Sequence, residues 1–319
     1  MDNNLELKYS DVVLLPKYSI LSSRADADVS FELGSMMFNL PIIPSNMKSV
    51  INEKKAHWLS ENGYFYTMHR FGICPLEFCE TSRDWKFTSI SVGVNYEDMD
   101  KVALLSAQAS KVDYITVDIA HGHSVLMKKM IEHIKKFLPQ SFIIAGNVAT
   151  KEAVNDLVEW GVNCVKVGIG QGYVCTTKDK TGFTRPMFSS VLDCSNDSPV
   201  PIIADGGVKS NGDIAKALVA GASAVMVGSM FSQCTDSPTV SVVNDGRIYK
   251  QYFGSASEYN KKEKKHIEGV MKEMPSNNMS YEEKLIEMKQ DLQSAVSYSG
   301  GQDLTSFSNV EWKRVTPNL

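Results

Sequence analysis

Residues 167–182 read VGIGQGYVCTTKDKTG. Three glycines at alternate positions, Gly168, Gly170 and Gly172, lead to Cys175, and Thr176 and Thr177 follow. A cysteine kept for packing sits inside an apolar run, as Cys164 does in GVNCVKVG. A thiol at the end of a flexible loop is placed to react, because loop N–H groups and access favour its thiolate. Such a thiol can be a nucleophile. The other cysteines, Cys74, Cys79, Cys164, Cys194 and Cys234, are scattered without a Cys-x-x-Cys pair. That pattern favours reduced thiols over a disulfide framework or a structural zinc site.

A nucleophile on a loop needs a rigid frame. Apolar, β-rich runs ending in glycine or polar residues recur along the chain: LPIIPSN (40–46), YFYTMHR (64–70), TSISVGV (88–94), DYITVDIAHG (113–122), FIIAGN (142–147), CVKVGIG (164–170), VPIIADGG (200–207) and SAVMVGS (223–229). They lack polar alternation, as strands buried on both faces of a parallel sheet do. Helical patterns lie between them. In TKEAVNDLVEWG, Val154, Leu157 and Val158 share a face before Gly161; in SNGDIAKALVAG, Ser210 is the N-cap, Ile214 and Leu218 are one turn apart and Gly221 marks the stop. Eight strands alternating with helices, with no sheet-edge signal, predict an α/β fold of the (β/α)8 TIM-barrel type.

In such a barrel the residues just after each strand form the site. Those residues are Ser45, Asn46, His69, Arg70, Asp118, His121, His123, Asn147, Cys175, Asp205, Gly206, Gly207, Gly228 and Ser229. The last four follow the seventh and eighth strands, where backbone N–H groups hold phosphate and a Cβ would keep it away, so a phosphorylated ligand is expected. His121 and His123 have zinc-ligand spacing, but no carboxylate–histidine set at the other strand ends completes a metal site. Past the eighth strand, SVVNDGRIYKQYFG predicts a hairpin turning at Asp245–Gly246. A charged helix around KKEKKH (261–266) and an aperiodic loop, HIEGVMKEMPSNNMS, are expected next, making a lid insertion over about 236–280. A final amphipathic helix carries Leu285, Met288, Leu292 and Ala295.

Net charge is −4 with no basic stripe, which excludes a phosphate-backbone partner such as DNA; the Lys-rich run reads as a solvated helix face. The N-terminal stretch begins acidic and has no apolar segment of signal-peptide length, and no later run approaches a membrane span. A soluble, cytoplasmic protein acting on a small molecule is expected.

GNV, VGIGxGxVCTT, ADGG and VGS, in that order, resemble the family of IMP dehydrogenases and GMP reductases, almost end to end. Family members attack carbon 2 of a purine nucleotide with the loop cysteine and exchange a hydride with a nicotinamide cofactor. Dehydrogenases usually carry a paired regulatory (CBS) module after the second strand, and an Arg-Tyr pair on a mobile flap. This chain has no room for the module and no Arg-Tyr. DIAHGHS, IIAGNVAT, YFGSASE, HIEGV and EMKQDLQSAVSYSGG look like the GMP reductase branch, particularly its bacterial form. A single 1–319 barrel domain reducing GMP with NADPH to IMP and ammonia is what the resemblance implies.

By the same resemblance Cys175 is the nucleophile, and Thr177 with Glu268 activates the departing amine. Asp205 meets the ribose, while Gly206, Gly207, Gly228 and Ser229 form the phosphate cup. Met47, Gly254, Ser255 and Ala256 border the purine, with Gly269 touching it through its backbone. Asp118 and Asn147 face the cofactor, and carbonyls of Gly170, Gly172 and Cys175 hold a monovalent cation, potassium. Family members are commonly homotetramers. Four positions depart from the family pattern: Gln171 replaces proline, Tyr173 a small or basic residue, Val270 a lysine, and Lys48 an acidic or neutral residue. An IMP dehydrogenase without its regulatory module and a non-catalytic nucleotide sensor are the competing readings.

Overall fold

The protein is seen here as a computed structural model that describes residues 5–262 and 264–315. The acidic start at Asp2 and Glu263 of the Lys-rich run lie outside these residues. Seven strands form one parallel sheet: β1 (Ile42–Pro44), β2 (Ser89–Val92), β3 (Tyr114–Asp118), β4 (Phe142–Val148), β5 (Cys164–Val167), β6 (Ile202–Asp205) and β7 (Ala224–Val227). Their spatial order is β1-β7-β6-β5-β4-β3-β2. Every residue of β2, β5 and β7 is buried, including Ser89 and Ser91 of β2 and Lys166 of β5, which interrupt otherwise apolar runs.

The expected second strand differs. Residues 64–70 carry no ladder and run between the sheet's two edges. Met68 N–H donates to the Ser89 carbonyl at 3.0 Å, Ser91 Oγ donates to the Met68 carbonyl at 2.6 Å, and Asn46 Nδ2 reaches Ser91 Oγ at 3.1 Å. Side-chain hydroxyls thus replace part of the backbone ladder where the curled sheet closes. The fold is a (β/α)8 barrel with this seam in the second-strand position.

The helices follow their sequence signals. Thr150 caps Lys151–Trp160 by accepting the Ala153 N–H, and Gly161 ends it with φ of 100°. The helix buries Ala153, Val154 and Leu157 against the sheet. Asn211–Val219 is opened by the Asp213 carboxylate, which accepts the N–H groups of Lys209 and Ser210 at 2.9 and 3.1 Å.

After β7 the chain leaves the barrel. β8 (Ser241–Asn244) and β9 (Arg247–Phe253) form the expected hairpin, with Asp245 and Gly246 both at positive φ. The expected charged helix reduces to Glu258–Lys261, ended by Lys262 at φ 58°, because this run has no apolar face to bury. Part of the expected loop is instead a strand, β10 (Met271–Pro275), antiparallel to β9. Only Met274 of β10 is buried, so an alternation long enough to read in the sequence never develops. Helix Tyr281–Ser299 then returns to the barrel wall, burying Leu285, Met288 and Leu292.

Candidate active site

The C-terminal ends of the sheet open into a cleft of about 470 Å3. Of the residues expected there, Met47, Asp118, Asn147, Gly170, Gly172, Cys175, Thr177, Asp205, Gly206, Gly207, Gly228, Ser229, Gly254, Ser255, Ala256 and Glu268 all line it. Gly269 does not; it pairs with Cys175 in an antiparallel bridge behind the wall.

Cys175, Thr177 and Glu268 stand in file. The thiol donates to Thr177 Oγ1 at 3.2 Å, and that hydroxyl donates to Glu268 Oε2 at 2.7 Å. Thr177 is held as the first residue of helix Thr177–Thr181. Glu268 is held by its backbone: its carbonyl accepts the Thr176 N–H at 2.9 Å, its N–H donates to Ala256 at 3.1 Å, and Val270 N–H reaches the Val174 carbonyl at 3.0 Å. The carboxylate therefore rides on a segment strapped to the cysteine loop rather than on a free lid. Cys175 is half-buried in this cleft, whereas burial pushes the thiols of Cys79 and Cys194 up to about 12 and that of Cys234 to about 11. Those buried sulfurs are packing groups.

The glycine loop rests on the turn after β6. Gly207 N–H donates to the Gln171 carbonyl at 3.1 Å, and a Cβ on Gly168 would lie 2.0 Å from the Asp205 carbonyl oxygen. The Gln171 side chain binds Thr184 Oγ1 at 2.7 Å, and Thr184 binds the Ile169 carbonyl at 2.9 Å, so this departure ties the loop to residue 184. The Tyr173 ring lies 4.7 Å below the Lys272 ammonium of β10 and 6.5 Å from the Tyr252 ring. At Gly228 a Cβ would meet the Tyr252 hydroxyl at 2.4 Å, so glycine keeps that corner of the cup open.

Asp118 and Asn147 do not stand apart from Asp205. Lys166 of β5 reaches Asp118 Oδ1 at 2.8 Å and Asp205 Oδ2 at 2.6 Å, and Asn147 Nδ2 donates to Asp205 Oδ2 at 2.9 Å and to the Gly168 carbonyl at 2.6 Å. Burial opposes the charge on Asp118, but Lys166, Arg70 and Asn46 outweigh it and hold the carboxyl below the usual range. Burial likewise opposes the Lys166 charge, and the two carboxylates overcome it and raise its pKa. Asn147 Oδ1 is buried with no partner among the described residues.

His121 and His123 do not reach the cleft; His123 Nε2 is 2.6 Å from Asp156 Oδ2 on the outer layer. Among the described residues no three His, Cys, Asp or Glu side chains are grouped to hold a metal. Lys166 and Tyr252 line the cleft without having been singled out in the sequence. Lys166 carried one signal, a charge inside the apolar run CVKVG; Tyr252 carried none, since the hairpin has to fold over the barrel before its hydroxyl meets Gly228.

A (β/α)8 barrel that gathers a thiol, a hydroxyl and a carboxylate in file in a cleft at its strand ends has the architecture of a barrel enzyme. The chain belongs to the IMP dehydrogenase / GMP reductase domain family, which it matches over residues 6–318. It is similar to the GMP reductase of Paracidovorax citrulli (strain AAC00-1), 46% identical over 310 residues, 95% of this chain and 94% of that protein. The GMP reductases of Bacillus subtilis (strain 168) and Staphylococcus carnosus (strain TM300) are 46% and 47% identical over the same shares. No helix among the described residues is long and apolar enough to cross a membrane.

Proposed function

We propose that the chain is a GMP reductase, converting GMP to IMP and ammonia with NADPH. The file Cys175–Thr177–Glu268 carries this reading, because each group donates to the next and the last is a carboxylate. As Cys175 Sγ adds to carbon 2 of GMP, its proton passes through Thr177 to Glu268. Protonated Glu268 then gives that proton to the amino group, which leaves as ammonia once the C–N bond breaks, and Cys175 holds the purine as a thioimidate. A nicotinamide cofactor supplies the hydride to carbon 2. Breaking of the C–S bond would then return its electron pair to Cys175 as a thiolate, and a proton taken from solvent would restore the thiol.

Other wall residues fit this substrate. Asp205 offers a carboxylate oxygen, Oδ1, whose two lone pairs can accept from both hydroxyls of a vicinal diol. Gly206, Gly228 and Ser229 offer backbone N–H groups for the phosphate, joined by the Tyr252 hydroxyl, and Gly207, whose own N–H is taken by the Gln171 carbonyl, keeps the cup free of a side chain. Met47 and residues Gly254, Ser255 and Ala256 border the base. For the cofactor, buried Asn147 Oδ1 and Arg70 Nε lack partners among the described residues, and both residues line the cleft; they suit the donor and acceptor of a carboxamide. Lys209 and Lys261 line the same cleft, and their charge suits the phosphates of NADPH. Potassium is assigned to the carbonyls of Gly170, Gly172 and Cys175; the Gly172 carbonyl also accepts the Cys175 N–H at 3.0 Å. The reading also comprises one barrel domain with residues 236–280 as its insertion, the family's homotetramer and a cytoplasmic setting, which agrees with six unpaired cysteines.

The test mixes protein, GMP and NADPH and follows nicotinamide absorbance and ammonia together. Equal consumption and release, both stopped by Cys175→Ala, are expected. Silence with GMP but turnover of IMP with NAD would make the chain a dehydrogenase, and nucleotide binding without either reaction would make it a sensor.

A further inference from the structure

Lys166 is 2% exposed and takes no part in the cysteine file. Its strand neighbour on β4 is Gly146, where a Cβ would lie 2.7 Å from Lys166 Cβ and 2.4 Å from its carbonyl oxygen. Glycine there lets the two strands close around a charged side chain. The ammonium sits between two carboxylates, 2.6 Å from Asp205 Oδ2 and 2.8 Å from Asp118 Oδ1. Asn147 adds a second donor to the same Asp205 Oδ2. Among the described residues no donor reaches Asp205 Oδ1, although Asp205 lines the cleft. One oxygen of this carboxylate is tied down twice and the other is left for a ligand.

We propose that Lys166 is the positioning residue for ribose recognition: by fixing Asp205 Oδ2 it turns Oδ1 toward the nucleotide's vicinal hydroxyls, with Asp118 as the second anchor of the ammonium. The inference rests on the assignment of Asp205 to the ribose. A carboxylate's terminal torsion is broad when nothing holds it. Two donors on one oxygen remove that freedom before the ligand arrives, so binding loses less entropy. Asp118 keeps the ammonium from following Asp205 into the cleft.

The experiment measures dissociation constants of GMP and of 2′,3′-dideoxy-GMP by calorimetry for wild type, Lys166→Met and Asp205→Asn. Hydroxyl donors to a carboxylate make GMP the tighter ligand of wild type by about tenfold or more. Lys166→Met is expected to bring the ratio near one through loss of GMP affinity, leaving the dideoxy nucleotide within about threefold of wild type. A purely structural role weakens both nucleotides alike, and that result overturns the proposal. So does an undiminished ratio in Lys166→Met when Asp205→Asn has lost it. An undiminished ratio in Asp205→Asn removes the ribose assignment itself, and Lys166's role with it. Should Lys166→Met not fold, Lys166→Arg decides: its larger planar head keeps the charge without the same two contacts. A ratio lowered by about threefold or more is then expected, and an unchanged ratio overturns the proposal.

Discussion

Thr177 is the residue on which the proposed chemistry turns, because it alone touches both the sulfur and the carboxylate. Replacing it by valine keeps the shape and removes the hydroxyl, which cuts the proton path between Cys175 and Glu268. Turnover should fall by about 10²- to 10⁴-fold, the usual contribution of positioned proton transfer, with GMP affinity little changed. Thr177→Ser restores the hydroxyl and should recover most of that loss; equal activity of the valine and serine variants would remove Thr177 from the path. Cys175→Ala should abolish turnover and still bind GMP, which calorimetry reads directly. All three relay residues were legible in the sequence, Cys175 and Thr177 from a dense local motif and Glu268 from Glu-Gly alone. Lys166 was not, since a lone lysine in an apolar run acquires meaning only when β3 and β6 bring Asp118 and Asp205 to it.

At the scale of elements, the Glu268 carboxylate is placed by backbone pairing between the cysteine loop and the segment leading into β10. Gly269 sits at the crossing, with Ser257 N at 3.2 Å and Gly254 Cα at 3.3 Å from where a Cβ would stand. Both neighbours are backbone, so Gly269→Ala must push the segment outward and carry Glu268 away from Thr177. Turnover should drop about tenfold or more, and the melting temperature should move by only a few degrees, since the segment lies outside the parallel sheet. An unchanged turnover number would mean that Glu268 finds Thr177 without this strap. The parallel strands and their helices were legible because burial on both faces leaves continuous apolar runs. The seam at 64–70 was not: its residues are equally apolar, and only the closing geometry assigns Thr67, Ser91 and Asn46 hydroxyl and amide bonds in place of a ladder. The strand β10 escaped notice for the opposite reason, having a single buried side chain.

For the molecule as a whole, its buried ionisable groups divide by how they respond to pH. Asp118 is held below the usual carboxylate range and Lys166 above the usual lysine range, so the pair stays charged, and constant in its contribution, across neutral pH. His69 is different: 5% exposed, with Nδ1 unpartnered among the described residues, it is pushed down to about 4 by burial and then by Lys48. Its folded pKa lies below its unfolded value, so below about pH 6.5 the unfolded chain takes up a proton that the folded chain refuses. The stability this represents is whole above pH 6.5 and is lost as pH falls toward 4. At pH 5 the loss amounts to about 2 kcal/mol, a drop of roughly 3 °C in melting temperature for a chain of this length. Melting curves at pH 7.5 and pH 5 for wild type and His69→Asn check this, because the variant lacks the titrating ring and should lose correspondingly less on acidification. If both lose equally, the acid sensitivity belongs to other groups and His69 is not buried as a neutral ring at the barrel seam.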